Sequence, residues 1–249
     1  MKMKNNTGAV SAGTPWQGQK SFSGLVFDLD GTLIDSVPSL TRALNTLFAE
    51  DGLTPLDPAE VQAMVGEGAG LLVARAFAAR DAGDASGHDP RHARRLKQFL
   101  ALYSADPFTG TTLYSGAREM LETLKARGLT LGLCTNKPEA PARALLAHLG
   151  LAPFLDAIVG GDTLPTRKPD PAPLFETLRR MGIAPAEALF VGDSATDVRC
   201  ARHAGVPVAV FTHGYALDPH HSLGADVVLE TCPALLDWLE DTPDRAAGA

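Results

Sequence analysis

In Leu25-Val26-Phe27-Asp28-Leu29-Asp30-Gly31-Thr32-Leu33, three consecutive apolar residues run straight into two aspartates and a glycine. A short unbroken apolar run is the pattern of a strand buried on both faces, as in a parallel sheet. Gly31 lets the chain turn sharply away, which leaves both carboxylates at the strand's carboxyl end. Working outward, similar runs recur at residues 129–134, 157–159, 188–191 and 206–211. Helical patterns between the later runs stop at Gly128, Gly150 and Gly182, and Gly205 stands just before Val206, the usual place for a residue of left-handed conformation after a helix. This alternation predicts an α/β fold, a Rossmann-like parallel sheet with helices on both faces.

One connection breaks the rhythm. About 100 residues separate the first strand from the second, whereas a crossover needs about a dozen. The excess, residues 36–114, has helical spacing: Val37, Leu40, Leu44, Leu47 and Phe48 share one face, as do Leu96, Phe99, Leu100 and Tyr103. The expected organisation is therefore an α/β core of residues 22–35 and 115–249, a helical domain of residues 36–114 containing a turn-rich loop at 81–90, and a polar, aperiodic N-terminal extension of residues 1–21.

Composition narrows the class. A length of 249 residues with 45% hydrophobic and 20% charged side chains suits a soluble globular chain. The formal charge of −7 argues against a nucleic-acid partner, since phosphate backbones attract clustered Lys and Arg. Cys134, Cys200 and Cys232 form no Cys-x-x-Cys pair, so neither a disulfide framework nor a zinc knuckle is indicated. No apolar run approaches the roughly 18–20 residues of a membrane span, and residues 1–21 lack the apolar centre of a signal peptide. A cytoplasmic monomer or homodimer with no membrane partner is the expectation.

In an open parallel sheet, ligands gather beyond the carboxyl ends of the strands. Four features fall there. Asp28 and Asp30, two residues apart, can divide the roles of nucleophile and general acid and base. Thr135-Asn136 offers a hydroxyl and an amide to a phosphoryl oxygen. In Lys168-Pro169-Asp170-Pro171, Asp170 is the expected N-cap and Lys168 is held just before a helix. Finally, Gly192-Asp193-Ser194-Ala195-Thr196-Asp197 places Asp193 at a strand tip and Asp197 in the next helical turn. Should Asp28, Asp30, Asp193 and Asp197 converge, their mutual repulsion demands a cation. Lys168 and a divalent ion would supply it, and an oxygen-only donor set favours Mg²⁺ over zinc.

Asp28-x-Asp30-Gly-Thr-Leu, Thr135-Asn136, Lys168-Pro169 and Gly192-Asp193-x3-Asp197, in that order and with a helical insertion after the first, resemble the four motifs of the haloacid dehalogenase superfamily. The likeness spans residues 22–232. It implies that Asp28 is the nucleophile, that Asp30 protonates the leaving oxygen and then activates water, and that Lys168, Thr135 and Asn136 hold the phosphoryl group. It also implies Mg²⁺ at Asp28, Asp30 and Asp193, with the inserted helices as a cap that selects the leaving group. Because Asp30 is a carboxylate, the resemblance points to phosphoryl transfer rather than dehalogenation. Val65-Gly66-Glu67-Gly68, Thr135-Asn136-Lys137-Pro138, Arg167-Lys168-Pro169-Asp170-Pro171 and His213-Gly214-Tyr215 are further similar to bacterial phosphoglycolate phosphatases. The implied activity is hydrolysis of a small phosphorylated metabolite, 2-phosphoglycolate first, with a sugar phosphomutase and a non-catalytic binding protein as rivals. Ala195-Thr196 departs from the Arg-Asn of many members. The loop of residues 65–70 and nearby Arg75 are the cap features to test for contact with the leaving group, although an Arg on a helix is more often a solvated charge than a ligand.

Other signals are read as packing or surface. Gly66-Glu67-Gly68-Ala69-Gly70 is followed by Leu71, so it is no dinucleotide fingerprint. Pro90 interrupts the spacing of His88 and His92, which makes them solvated histidines.

Overall fold

The computed structural model describes residues 22–216 and 218–240; the expected extension 1–21 lies outside them. The chain runs β1 (Gly24–Phe27), β2 (Ile34–Asp35), α1 (Val37–Glu50), α2 (Pro58–Gln62), α3 (Ala69–Ala78), α4 (His92–Ala105) and β3 (Thr112–Leu113). It continues α5 (Ala117–Ala126), β4 (Thr130–Cys134), α6 (Glu139–His148), β5 (Ala157–Val159), α7 (Ala172–Met181), β6 (Ala188–Gly192), α8 (Ala195–Ala204), β7 (Val208–Phe211), β8 (Val227–Leu229) and α9 (Cys232–Glu240).

Six strands form one sheet in the order β5-β4-β1-β6-β7-β8, every pairing parallel. The α/β expectation holds, and so do the five strands read from apolar runs; β8, only three residues long, is an addition. Strand β1 is central, with Phe27 beside Leu133 and Val191. Alternation along the strands divides the core in two. Leu25, Phe27, Leu131, Leu133, Leu189 and Val191 pack against α5, α6 and α9, while Val26, Phe190, Val208 and Val210 pack against α7 and α8.

Helices α1–α4 have an apolar cluster of their own, built on Leu44, Phe48, Phe77 and Phe99, with Phe48 and Phe77 edge to face at 4.8 Å. The face Val37, Leu40, Leu44, Leu47 and Phe48 is buried as its period requires. Within the stretch expected to be wholly helical, Thr112–Leu113 instead pairs antiparallel with Ile34–Asp35. Two residues are too few to show an alternation in sequence. Helix α7 begins one residue later than expected, with Pro171 in the cap position; the Asp170 carboxylate still accepts from the Ala172 N–H at 2.8 Å. Among the described residues no helix is long and apolar enough to cross a membrane.

Candidate active site

The carboxyl ends of β1, β4 and β6 converge because these strands are neighbours in register. Asp28 follows β1 directly and its N–H still bonds Val191 of β6 at 2.9 Å. Asp193 follows β6. Asp197 is in the first turn of α8, where Ser194 and Asp197 form a capping box. Carboxylate oxygens of Asp28, Asp193 and Asp197 lie within 4.8 Å of one another, all buried.

Each is held differently. Asp193 accepts from Thr32 Oγ1 at 2.9 Å and from the Tyr215 N–H at 2.8 Å. Its surroundings leave no room for a side chain at two glycines: a Cβ at Gly31, whose φ is +86°, would come within 2.3 Å of Asp193 Oδ2, and one at Gly214 within 2.1 Å of Asp193 Cβ. Asp197 is saturated. Its Oδ2 accepts from the N–H of Asp193, the N–H of Ser194 and Ser194 Oγ, and its Oδ1 accepts from Lys168 Nζ at 2.7 Å. Lys168 Nζ also lies 2.9 Å from Asp28 Oδ1, a charge contact without hydrogen-bond geometry, so that oxygen is buried and unbonded.

Burial raises the Asp28 carboxyl to about 6; the Lys168 ammonium opposes this and the Asp197 charge adds to it. Burial, then the charges of Asp197 and Asp28, push Asp193 well above the usual carboxylate range. Lys168 behaves oppositely. Burial alone would lower it, but Asp197 and Asp28 more than reverse the effect and hold its proton firmly. An orphaned buried oxygen on Asp28, a second carboxylate at Asp193 and an excess of negative charge fit a hard divalent cation with oxygen ligands.

The expected convergence of four carboxylates is reduced to three. The Asp30 carboxylate turns away: its Oδ1 accepts from Ser36 Oγ at 2.5 Å, and Lys137 Nζ donates to both its oxygens at 2.9 and 3.0 Å. Lys137 was only part of a quoted motif in the sequence, yet it supplies the buried cation on this side. Asp30 beside it raises its ammonium, outweighing burial. Asn136 sits where expected and donates to the carbonyls of Lys168 and Gly66 at 3.0 Å each, tying the tip of β4 to the loop before α3. Thr135 Oγ1 accepts from the Lys137 N–H at 3.2 Å. Arg75 is engaged by the Glu67 carboxylate and the Met64 carbonyl.

Two cavities meet at Asp28 and Asp30. One, of about 50 Å³, is roofed by apolar side chains of α1, α3 and α4 and includes Thr135, Asn136 and Lys137. The other, of about 310 Å³, is polar and extends past Asp193, Ser194, Arg75 and Arg199.

A central parallel sheet with paired aspartates at one strand tip, a lysine before one helix and a further carboxylate at the tip of the neighbouring strand β6 defines a hydrolase of known type. Residues 25–211 match the haloacid dehalogenase-like hydrolase family, and the chain belongs to it. Among its relatives, the phosphoglycolate phosphatase of Rhodospirillum rubrum is 56% identical over 216 residues, 86% of this chain and 90% of that protein. The phosphoglycolate phosphatase of Cereibacter sphaeroides is 45% identical over 201 residues, 80% of this chain and 89% of its own. The crystal structure of a predicted phosphoglycolate phosphatase from Haemophilus somnus superposes with a TM-score of 0.81 at 30% identity, covering 89% of this chain and 99% of that one.

Proposed function

We propose that the chain is a Mg²⁺-dependent phosphomonoester hydrolase whose preferred substrate is 2-phosphoglycolate. The observation that carries this reading is the unbonded, buried Asp28 Oδ1 beside Lys168, with the Asp30 carboxylate directed toward the inserted helices. Asp28 attacks phosphorus, and the bond from phosphorus to the ester oxygen breaks as Asp30 gives that oxygen its proton. Water then attacks the aspartyl-phosphate, losing a proton to Asp30, and inorganic phosphate leaves with Asp28 restored. Lys168 and Thr135 orient the phosphoryl oxygens; Asn136, expected to share that role, has both amide hydrogens taken by the carbonyls of Gly66 and Lys168 and instead positions the Lys168 loop. Asp28 and Asp193 would hold the metal ion; Asp30, whose carboxylate is taken by Ser36 and Lys137, would contribute its main-chain carbonyl. A Mg²⁺ ion held by these groups would supply positive charge to the nonbridging oxygens. Residues 36–114 act as the cap over the α/β core, excluding water and meeting the leaving group.

A cytoplasmic location, as monomer or homodimer, accompanies this reading; Cys134, Cys200 and Cys232 are free and buried, as suits a reducing compartment. The test is phosphate release from a panel of monoesters with Mg²⁺ and with excess chelator. The expected result is release that chelator abolishes and Mg²⁺ restores, fastest with 2-phosphoglycolate. A sugar phosphate preferred by more than about 10-fold in kcat/KM, or a chelator-insensitive rate, overturns the respective part.

A further inference from the structure

We propose that Lys137, with the Tyr103 hydroxyl, is the receptor for a carboxylate on the leaving group, and is thus the residue that selects a short phosphorylated acid. The inference rests on the phosphatase reading and adds the origin of its specificity.

Lys137 follows β4, its side chain only 4% exposed, and its ammonium is aimed into the small cavity under α3 and α4. Among the described residues, its hydrogen bonds both go to the two oxygens of one carboxylate, Asp30, while the Tyr103 ring lies 4.7 Å away on another side. An ammonium carries three donors, so one is left for the side on which Tyr103 and the cavity lie. Tyr103, a lining residue of the same cavity, has its hydroxyl buried beside the Lys137 ammonium, and the hydroxyl's own proton has no acceptor. Leaving a buried hydroxyl proton without an acceptor is costly, and an incoming acceptor removes that cost. An ammonium and a hydroxyl facing one small space form a receptor for an anion.

Distance then fixes which anion. Covalent geometry puts a carboxylate oxygen of a two-carbon hydroxy acid about 3 Å from its ester oxygen. With Asp30 on that ester oxygen, the carboxylate falls within reach of an ammonium that is itself 2.9–3.0 Å from Asp30. The small cavity walled by Leu72, Phe99 and Leu100 suits a carboxymethyl group better than a hexose, whose hydroxyls would find few polar partners among those side chains. Arg75, the cation expected from sequence, lines the larger cavity and is already neutralised by Glu67.

The experiment compares 2-phosphoglycolate with ethyl phosphate, which keeps the ester and loses the carboxylate, in the full-length wild type, Lys137→Met, Tyr103→Phe and Arg75→Ala. The wild type is expected to favour phosphoglycolate by about 100-fold in kcat/KM, a preference that drops below about 5-fold in Lys137→Met and falls about 3- to 10-fold in Tyr103→Phe. Equal losses on both esters in Lys137→Met would mean that it acts only through Asp30, and would overturn the proposal. So would a wild type without preference, or a collapse of the ratio in Arg75→Ala instead. Should Lys137→Met not fold, the near-isosteric Tyr103→Phe decides: an unchanged ratio overturns the proposal, a reduced one supports it. A wild type that hydrolyses neither ester refutes the phosphatase reading itself, which is a separate result.

Discussion

Replacing Lys168 by Met removes the one cation between two buried carboxylates, and its cost can be worked from the geometry. The Lys168 side chain is 1% exposed, 2.7 Å from Asp197 Oδ1 and 2.9 Å from Asp28 Oδ1. Breaking a buried ion pair by removing one partner typically destabilises by about 3–5 kcal/mol, because the stranded charge has no water to turn to. In a chain of this size each kcal/mol corresponds to about 2–4 °C, so Tm should fall by about 6–20 °C. The measurement is thermal unfolding near neutral pH in excess chelator, so that no metal ion substitutes for the ammonium. Adding Asp197→Asn to Lys168→Met removes one stranded charge and should return roughly half of the loss, a coupling that independent sites would not show. The deficit should also shrink toward pH 5, since Asp28, already raised to about 6 by burial, can take a proton there. A Tm change of less than about 3 °C, or a double variant no more stable than Lys168→Met, would refute this account of the site.

Three further outcomes are expected. Asp28→Asn should keep the native circular dichroism spectrum and lose turnover by many orders of magnitude, because phosphate monoesters are among the slowest substrates to hydrolyse unaided; a variant retaining a tenth of the wild-type rate would sink the covalent mechanism. In the metal-free protein, Asp28 moves from its usual 3.8 to about 6 on folding, so the native state binds the proton more tightly and stability must fall as pH rises between those values. That loss is about 3 kcal/mol from Asp28, with Asp193 adding in the same direction; a flat profile from denaturant titrations across the window would contradict it. Gly214→Ala would drive a Cβ to within 2.1 Å of Asp193 Cβ, so calorimetry should show Mg²⁺ affinity reduced at least about 10-fold, and wild-type affinity would exclude Asp193 as a ligand.

Much of the sheet was legible because its strands are buried on both faces and therefore appear as unbroken apolar runs, with glycines closing the helices between them. The β2–β3 pair was not, being two residues on each side with no period to detect; β8 was overlooked although Val227-Val228-Leu229 is an apolar run as long as β5. Asp28, Asp193 and Asp197 were legible as a cluster, since two lie at strand tips and one a helical turn further on. What failed was the direction of the Asp30 side chain. Two residues beyond Asp28, it shares the same loop, and only the position of Lys137, more than a hundred residues later in the chain, decides that its carboxylate leaves the cluster. Lys137 itself was visible beside Asn136 at a strand tip, and that adjacency was the available signal. Tyr103 was correctly placed on the apolar face of its helix; that its hydroxyl is unpaired is a tertiary fact with no trace in the pattern.

The two-residue ladder of β2 and β3 has a consequence for how such a chain can diverge. Ile34 lies opposite Leu113 and Asp35 opposite Thr112, so the polypeptide leaves the sheet and returns to it at a single point. Everything between can be exchanged by recombination without altering the register of any strand in the six-stranded sheet. Under the function proposed above, such an exchange would change which esters reach Asp28 and Asp30 while preserving how they are cleaved. Lys137 lies outside the exchangeable stretch and Tyr103 inside it, so descendants with a new set of helices would keep the ammonium of the proposed receptor and lose its hydroxyl.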